Sequence, residues 1–184
     1  METGTGGSGH GYFEPVIGRV RFAILGALLL AIAGATGCRS AKEPPPYAPH
    51  VVVRPSSGEG TAQEFAVTIA PADKLKMAGL LINSESSGSK SCYTLVNVAD
   101  QKFYLVKDPG WGSLPFTLGS SAENSQCSAH VTKTHLDLAK NSFEFHVTAE
   151  FKPIFGGGQL LYVFTSDRNG SGGLQQAGSW MVAP

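Results

Sequence analysis

The side chains able to do chemistry in this chain are a few thiols, imidazoles beside carboxylates, and acidic or aromatic residues on turns. A GxSxG nucleophile turn, an HExxH zinc helix and a glycine-rich phosphate loop closed by Lys and Ser or Thr are absent from the sequence. His130 and His135 lie in one extended run, and their spacing puts them on opposite faces of a strand, which disfavours a shared metal. His146 stands between Glu144 and Thr148 on a polar strand face. A Glu144–His146–Glu150 row reads as an ordinary solvated face, with weak cation binding as the alternative. Asp167-Arg168-Asn169-Gly170 has the oxygen donors that open a calcium loop. Calcium takes about six to eight oxygens, including a bidentate carboxylate, and no acid follows in the chain. An Asn-Gly turn is the reading that remains. Asp108-Pro109-Gly110-Trp111-Gly112 is turn chemistry too, and its Trp111 is either an exposed binding anchor or a cap on a core.

Candidate binding residues are therefore Trp111, Asp108, Asp167 and Asn169, with no catalytic residue, metal ligand or cofactor indicated. Glycan hydrolysis needs two carboxylates about 5–10 Å apart. Glu144 and Glu150, the acidic pair sharing a strand face, would stand about 20 Å apart.

Short strands must position these residues. Gly is abundant at 23 residues and charged residues make up only 15%, a mixture that suits strands and tight turns better than helices. In QEFAVTIA, Phe65, Val67 and Ile69 alternate with polar or small residues. KLKMAGLLIN reads as a strand ending in the loop SESSGSKS. Phe143, Phe145, Val147, Ala149 and Phe151 alternate with Glu144, His146, Thr148 and Glu150. Leu160 to Phe164 is apolar on both faces, the mark of a central strand between covered faces. A last strand carries Trp180, assigned to the core. These patterns predict an all-β fold, an antiparallel immunoglobulin-like or fibronectin-III-like sandwich of about seven to nine strands over residues 62–184. The net charge of zero leaves no footprint for nucleic acid.

The remaining chain reads as address and tether. Arg19 and Arg21 precede Phe22–Gly34, an apolar run shorter than a comfortable membrane span but of signal-peptide length. Ala35-Thr36-Gly37-Cys38 follows and resembles a bacterial lipobox, with Ala35 where Leu is usual. The expectation is removal of residues 1–37 and acylation of Cys38; an uncleaved anchor and plain secretion are the alternatives. Residues 38–61, rich in Pro, Ser and Gly, read as a tether, with Val51-Val52-Val53 as a candidate edge strand. Arg39 is not the aspartate tied to inner-membrane retention, so the expected place is the outer membrane of the cell envelope.

Export and the use of Cys38 leave Cys92 and Cys127 as one pair for a disulfide in an oxidising compartment. Two free buried thiols are the alternative, and metal ligation by a lone pair is disfavoured.

The segments LIN, SCYTLV, KFYLVKDPG, LGSSAENSQC, FEFHVTAEFKPIFGGGQLLYVFTSD and AGSWMV resemble a module of secreted acidobacterial proteins, often found in tandem. The resemblance covers roughly residues 64–184, and its Cys-Tyr and NSQC motifs are the more specific ones. It implies an immunoglobulin-like sandwich and no assigned activity. Leu174 departs from the pattern, which usually has Trp there. The function expected is a non-catalytic, lipid-anchored envelope domain that recognises a protein or glycan or serves structurally. An accessory subunit of a secretion or surface-assembly machine, and an envelope hydrolase, are the alternatives.

Overall fold

The structure, a computed structural model, describes residues 47–170 and 172–183. Cys38 and residues 1–37 lie outside the described residues. Eleven strands are described: β1 (His50–Arg54), β2 (Ala62–Ala70), β3 (Leu75–Asn83), β4 (Cys92–Asn97), β5 (Lys102–Val106) and β6 (Ser113–Phe116) are the first six. β7 (Ser121–Glu123), β8 (Cys127–Asp137), β9 (Ser142–Phe151), β10 (Gly157–Asp167) and β11 (Gly172–Val182) complete them. One sheet runs β1-β2-β9-β8-β7 and the other β11-β10-β3-β4-β5-β6, with every strand pair antiparallel. This is the order of an immunoglobulin variable-type domain, A-B-E-D against G-F-C-C′-C″, with β6 and β7 inserted between C″ and D.

The strand count exceeds the seven to nine expected. β6 and β7 have four and three residues, too few for an alternation to be visible. β1 lies inside the segment read as tether: Val51, Val52 and Val53 pair with Ile69, Thr68 and Val67, and Val53 is buried. Downstream of β1, the Ser56 and Gly58 carbonyls accept hydrogen bonds from Ser179 and Met181 of β11. The segment after β1 therefore crosses from one sheet to the other. Gly178 permits that approach, because a Cβ there would collide with the Ser56 carbonyl oxygen. The tether reading accordingly stops before Tyr47.

Between the sheets lies one apolar core, supplied by the alternate residues that the sequence pattern marks. Phe65, Val67 and Ile69 of β2 and Phe143, Phe145 and Val147 of β9 meet Leu80 and Ile82 of β3 and Leu161 and Val163 of β10. Trp180 is in this core as expected, edge-on to Phe65 at 5.3 Å and donating to the Gly60 carbonyl at 3.1 Å.

Candidate functional site

The two loops marked by the sequence lie at opposite ends of the sandwich. β5 carries the chain away from the β4–β5 turn, so the Asp108–Gly112 turn after it stands at the far end from the β2–β3 and β10–β11 turns. At that far end the Asp108 carboxylate accepts from the Ser125 amide at 3.1 and 3.3 Å. Its carbonyl accepts from the Lys90 amide at 2.8 Å and the Ser89 hydroxyl at 3.3 Å. Gly110, at φ 84°, lies so close to Gly88 and Ser89 that a Cβ would meet the Ser89 nitrogen at 2.8 Å. Asp108 is therefore a brace for the turn. Trp111 is 77% exposed on that braced turn, so it is not a cap on the core.

The same end holds the disulfide between Cys92 of β4 and Cys127 of β8, with Cα atoms 5.6 Å apart. It links the two sheets from C′ to D, rather than B to F as in antibody domains. Asn124, buried beside it, donates to the Ser91 and Val106 carbonyls and accepts from the Gln126 and Cys127 amides. The NSQC motif contained this residue, but nothing in its spacing marked it as a cross-sheet tie. A polar recess of about 300 Å³ opens nearby, with Ser89, Lys90, Gln126 and Gln159 among its lining. The buried Gln159 Oε1 accepts no hydrogen bond.

The other end carries Asp167 and Asn169. The buried Asp167 carboxylate accepts from the Asn169 amide at 2.8 Å, and its carbonyl accepts from the Gly170 amide at 3.1 Å. That is an Asx turn of the kind expected from Asn-Gly. A recess of about 690 Å³ lies between the turns here, with Ala72, Leu75, Val98, Leu136, Leu138 and Arg168 in its walls. Its size is that of a small-ligand cleft. The chain also enters the domain at this end, where the Tyr47 hydroxyl donates to the Pro71 carbonyl at 2.6 Å. Burial, with Asp73 and Asp167 nearby, pushes the Tyr47 phenol up to about 12.

The outer face of the five-stranded sheet is polar and corrects two expectations. A β-bulge between Val131 and Lys133 adds one residue to β8 and inverts the alternation beyond it. His130, opposite Thr148, and His135, opposite Glu144, therefore share the outer face. His146 does bond Glu144, Nε2 to Oε1 at 2.9 Å, but its second carboxylate is Glu64 of β2, at 3.2 Å from Nδ1. Glu150 is not the partner, because it lies four residues along β9, about 13 Å away, whereas Glu64 stands on the strand paired beside His146. Hydrogen bonds from His146 and Thr132 hold the Glu64 carboxyl below its ordinary range. The His146 hydrogen bond is also the main cause of the lowering at Glu144, where Thr68 and Lys133 add smaller contributions. Among the described residues, no group of three His, Cys, Asp or Glu is placed to hold a metal ion.

The outer face of the six-stranded sheet is different in kind. β10 is central, between β3 and β11, yet Leu160, Tyr162 and Phe164 on its outer side are only half-buried. Leu81 of β3, opposite Tyr93 and Tyr162, is fully buried among them, so this outer face is covered only in part and by its own side chains, short of the covered faces expected. Tyr93 and Leu95 of β4 and Tyr104 of β5 continue the same surface. Tyr93 stands edge-on to Phe164 at 6.5 Å, and burial raises its phenol above the ordinary range. Leu174, where the resembled pattern has Trp, sits opposite Phe164 on the edge strand.

No family model matches the chain, and neither does any curated protein. Among the described residues, no helix is long and apolar enough to cross a membrane.

Proposed function

We propose that this chain is a non-catalytic recognition domain of the cell envelope, held to the outer membrane by a lipid on Cys38 and binding a protein or glycan at its far end. One observation carries the reading: Trp111 is 77% exposed on a braced turn, at the end of the sandwich opposite the entry of the chain at Tyr47. An exposed indole on a rigid turn offers a large contact area with little ordering cost, which is how recognition surfaces are anchored. The titratable groups support the non-catalytic side of the reading. Glu64 and Glu144 each bond His146 on an open strand face, where water competes for them, rather than in a cleft that would tune them for proton transfer. The resemblance to secreted acidobacterial modules agrees with an exported domain.

The test is a pull-down from detergent-solubilised envelope with the purified full chain as bait, together with turnover assays on envelope polysaccharides, esters and peptides. A reproducible partner or glycan and no turnover is the expected result. Turnover abolished by one carboxylate or serine substitution would overturn the reading.

A further inference from the structure

We infer that the outer face of the six-stranded sheet is a self-association surface, and that a second copy of this chain docks on it. An antiparallel sheet with one solvated face normally alternates apolar inward with polar outward. The five-stranded sheet obeys this rule, with Glu64, Thr68, Lys133, Glu144 and His146 outward. The six-stranded sheet breaks it. Ala78, Leu80, Val96, Phe103, Leu161 and Val163 take the inward positions in the core. The alternate residues on the same strands, facing out, are Tyr93, Leu95, Tyr104, Leu160, Tyr162 and Phe164, each half-buried around the fully buried Leu81. Gly79 lies in the middle of this surface, and a Cβ there would meet Leu95 Cδ2 at 2.8 Å and Tyr93 Cε2 at 3.2 Å. Side chains of β4 thus lie over the glycine and flatten the face.

Three features favour a second copy over an unrelated partner. On the outward rows of β10, β3, β4 and β5, the charged side chain is Lys102, at the rim beside the β4–β5 turn. A two-fold axis through the centre therefore sets the face against itself without opposing like charges. Six strands spaced about 4.8 Å apart and about six residues long give a footprint near 29 Å by 20 Å. That is about 580 Å² for each partner, at the low end of specific interfaces and enough for a dimer of modest affinity. Finally, and resting on the lipid-anchor reading proposed above, a two-fold axis along the strands keeps both Tyr47 ends on one side, as two chains on one membrane require. Sheets packed this way cross at about 30°.

Sedimentation velocity of the full chain in mild detergent tests the inference, alongside Leu174→Lys and Tyr162→Lys. Leu174 is an edge-strand residue 37% exposed, so its substitution spares the fold even where Tyr162→Lys does not. The wild-type chain should be a dimer at micromolar concentration. Leu174→Lys should weaken the dimer at least tenfold with an unchanged thermal midpoint, and folded Tyr162→Lys should be monomeric. A monomeric wild-type chain would refute the inference, whether the face is bare or covered by the apolar segment Phe22–Gly34. So would a dimer that survives in both folded variants, since the detergent micelle or another surface would then hold it. Association only with a different protein would likewise refute it, while leaving the recognition reading intact.

Discussion

The side-chain amide of Asn124 donates to the main-chain carbonyl of Ser91 at 2.9 Å, and so joins the two sheets one residue away from where Cys92 joins them covalently. The same side chain reaches Val106 and accepts from the Gln126 and Cys127 amides, which satisfies four main-chain groups from one buried residue. Asn124→Ala should therefore destabilise the domain by about 2–3 kcal/mol, since buried main-chain groups would lose partners with no water in their place. Reducing the disulfide should cost a comparable amount, about 3–4 kcal/mol by the loop-closure argument. Chemical denaturation of both proteins, with non-reducing peptide mapping of the cross-link, checks the pair of values. Free thiols at Cys92 and Cys127 in exported protein would contradict them.

How much of this was legible beforehand depended on the physical source of each feature. The core faces of β2 and β9 were readable because burial on one side imposes a two-residue period on Phe65–Ile69 and Phe143–Phe151. The Cys92–Cys127 pair was readable once Cys38 was set aside as a lipid site and an oxidising compartment expected. The shared face of His130 and His135 was not, because one inserted residue at Val131–Lys133 reverses every orientation after it and leaves no mark in composition. Glu64 was missed as the partner of His146 for a related reason: the two are 82 residues apart and meet only through the β2–β9 register. Asp108 and Asp167 read both as turn residues and as candidate binding groups, and the turn reading is the one their carboxylates bear out, since both bond main-chain amides of turns. An acid on a turn looks the same in sequence whether it binds a ligand or its own backbone.

Stability should fall at acid pH through the cluster on the five-stranded sheet. Glu64 and Glu144 both titrate below the ordinary glutamate value of 4.5 in the folded chain, chiefly through their hydrogen bonds to His146. A folded-state value below the unfolded one means that the stabilisation is present above about pH 4.5 and is lost as the pH falls through the lowered values. Thermal midpoints of wild type and His146→Ala should differ near neutral pH and converge below the carboxylate range. A difference that persists unchanged into strong acid would show that His146 acts through packing instead.

The anchor reading makes a covalent prediction. Mature chain extracted from membranes should begin at Cys38 and carry two or three acyl chains, which mass spectrometry of the N-terminal peptide resolves. Cys38→Ser should release the protein from the membrane fraction. An intact Met1 terminus, or membrane association unaffected by the substitution, would exclude lipidation. Co-fractionation with the inner membrane would exclude the outer-membrane placement alone.

The recognition reading turns on Trp111, and one comparison tests it most directly. The partner or glycan recovered from solubilised envelope is titrated against the wild-type chain and Trp111→Ala, and thermal unfolding of the two is recorded in the same buffer. An anchor should lose about 2 kcal/mol or more of binding on truncation, roughly a thirtyfold rise in Kd. Its stability should stay within about 0.5 kcal/mol, because a side chain 77% exposed contributes little to the core. Unchanged affinity beside a lowered thermal midpoint would contradict the account, making Trp111 a structural residue and leaving the far end of the sandwich without its proposed role.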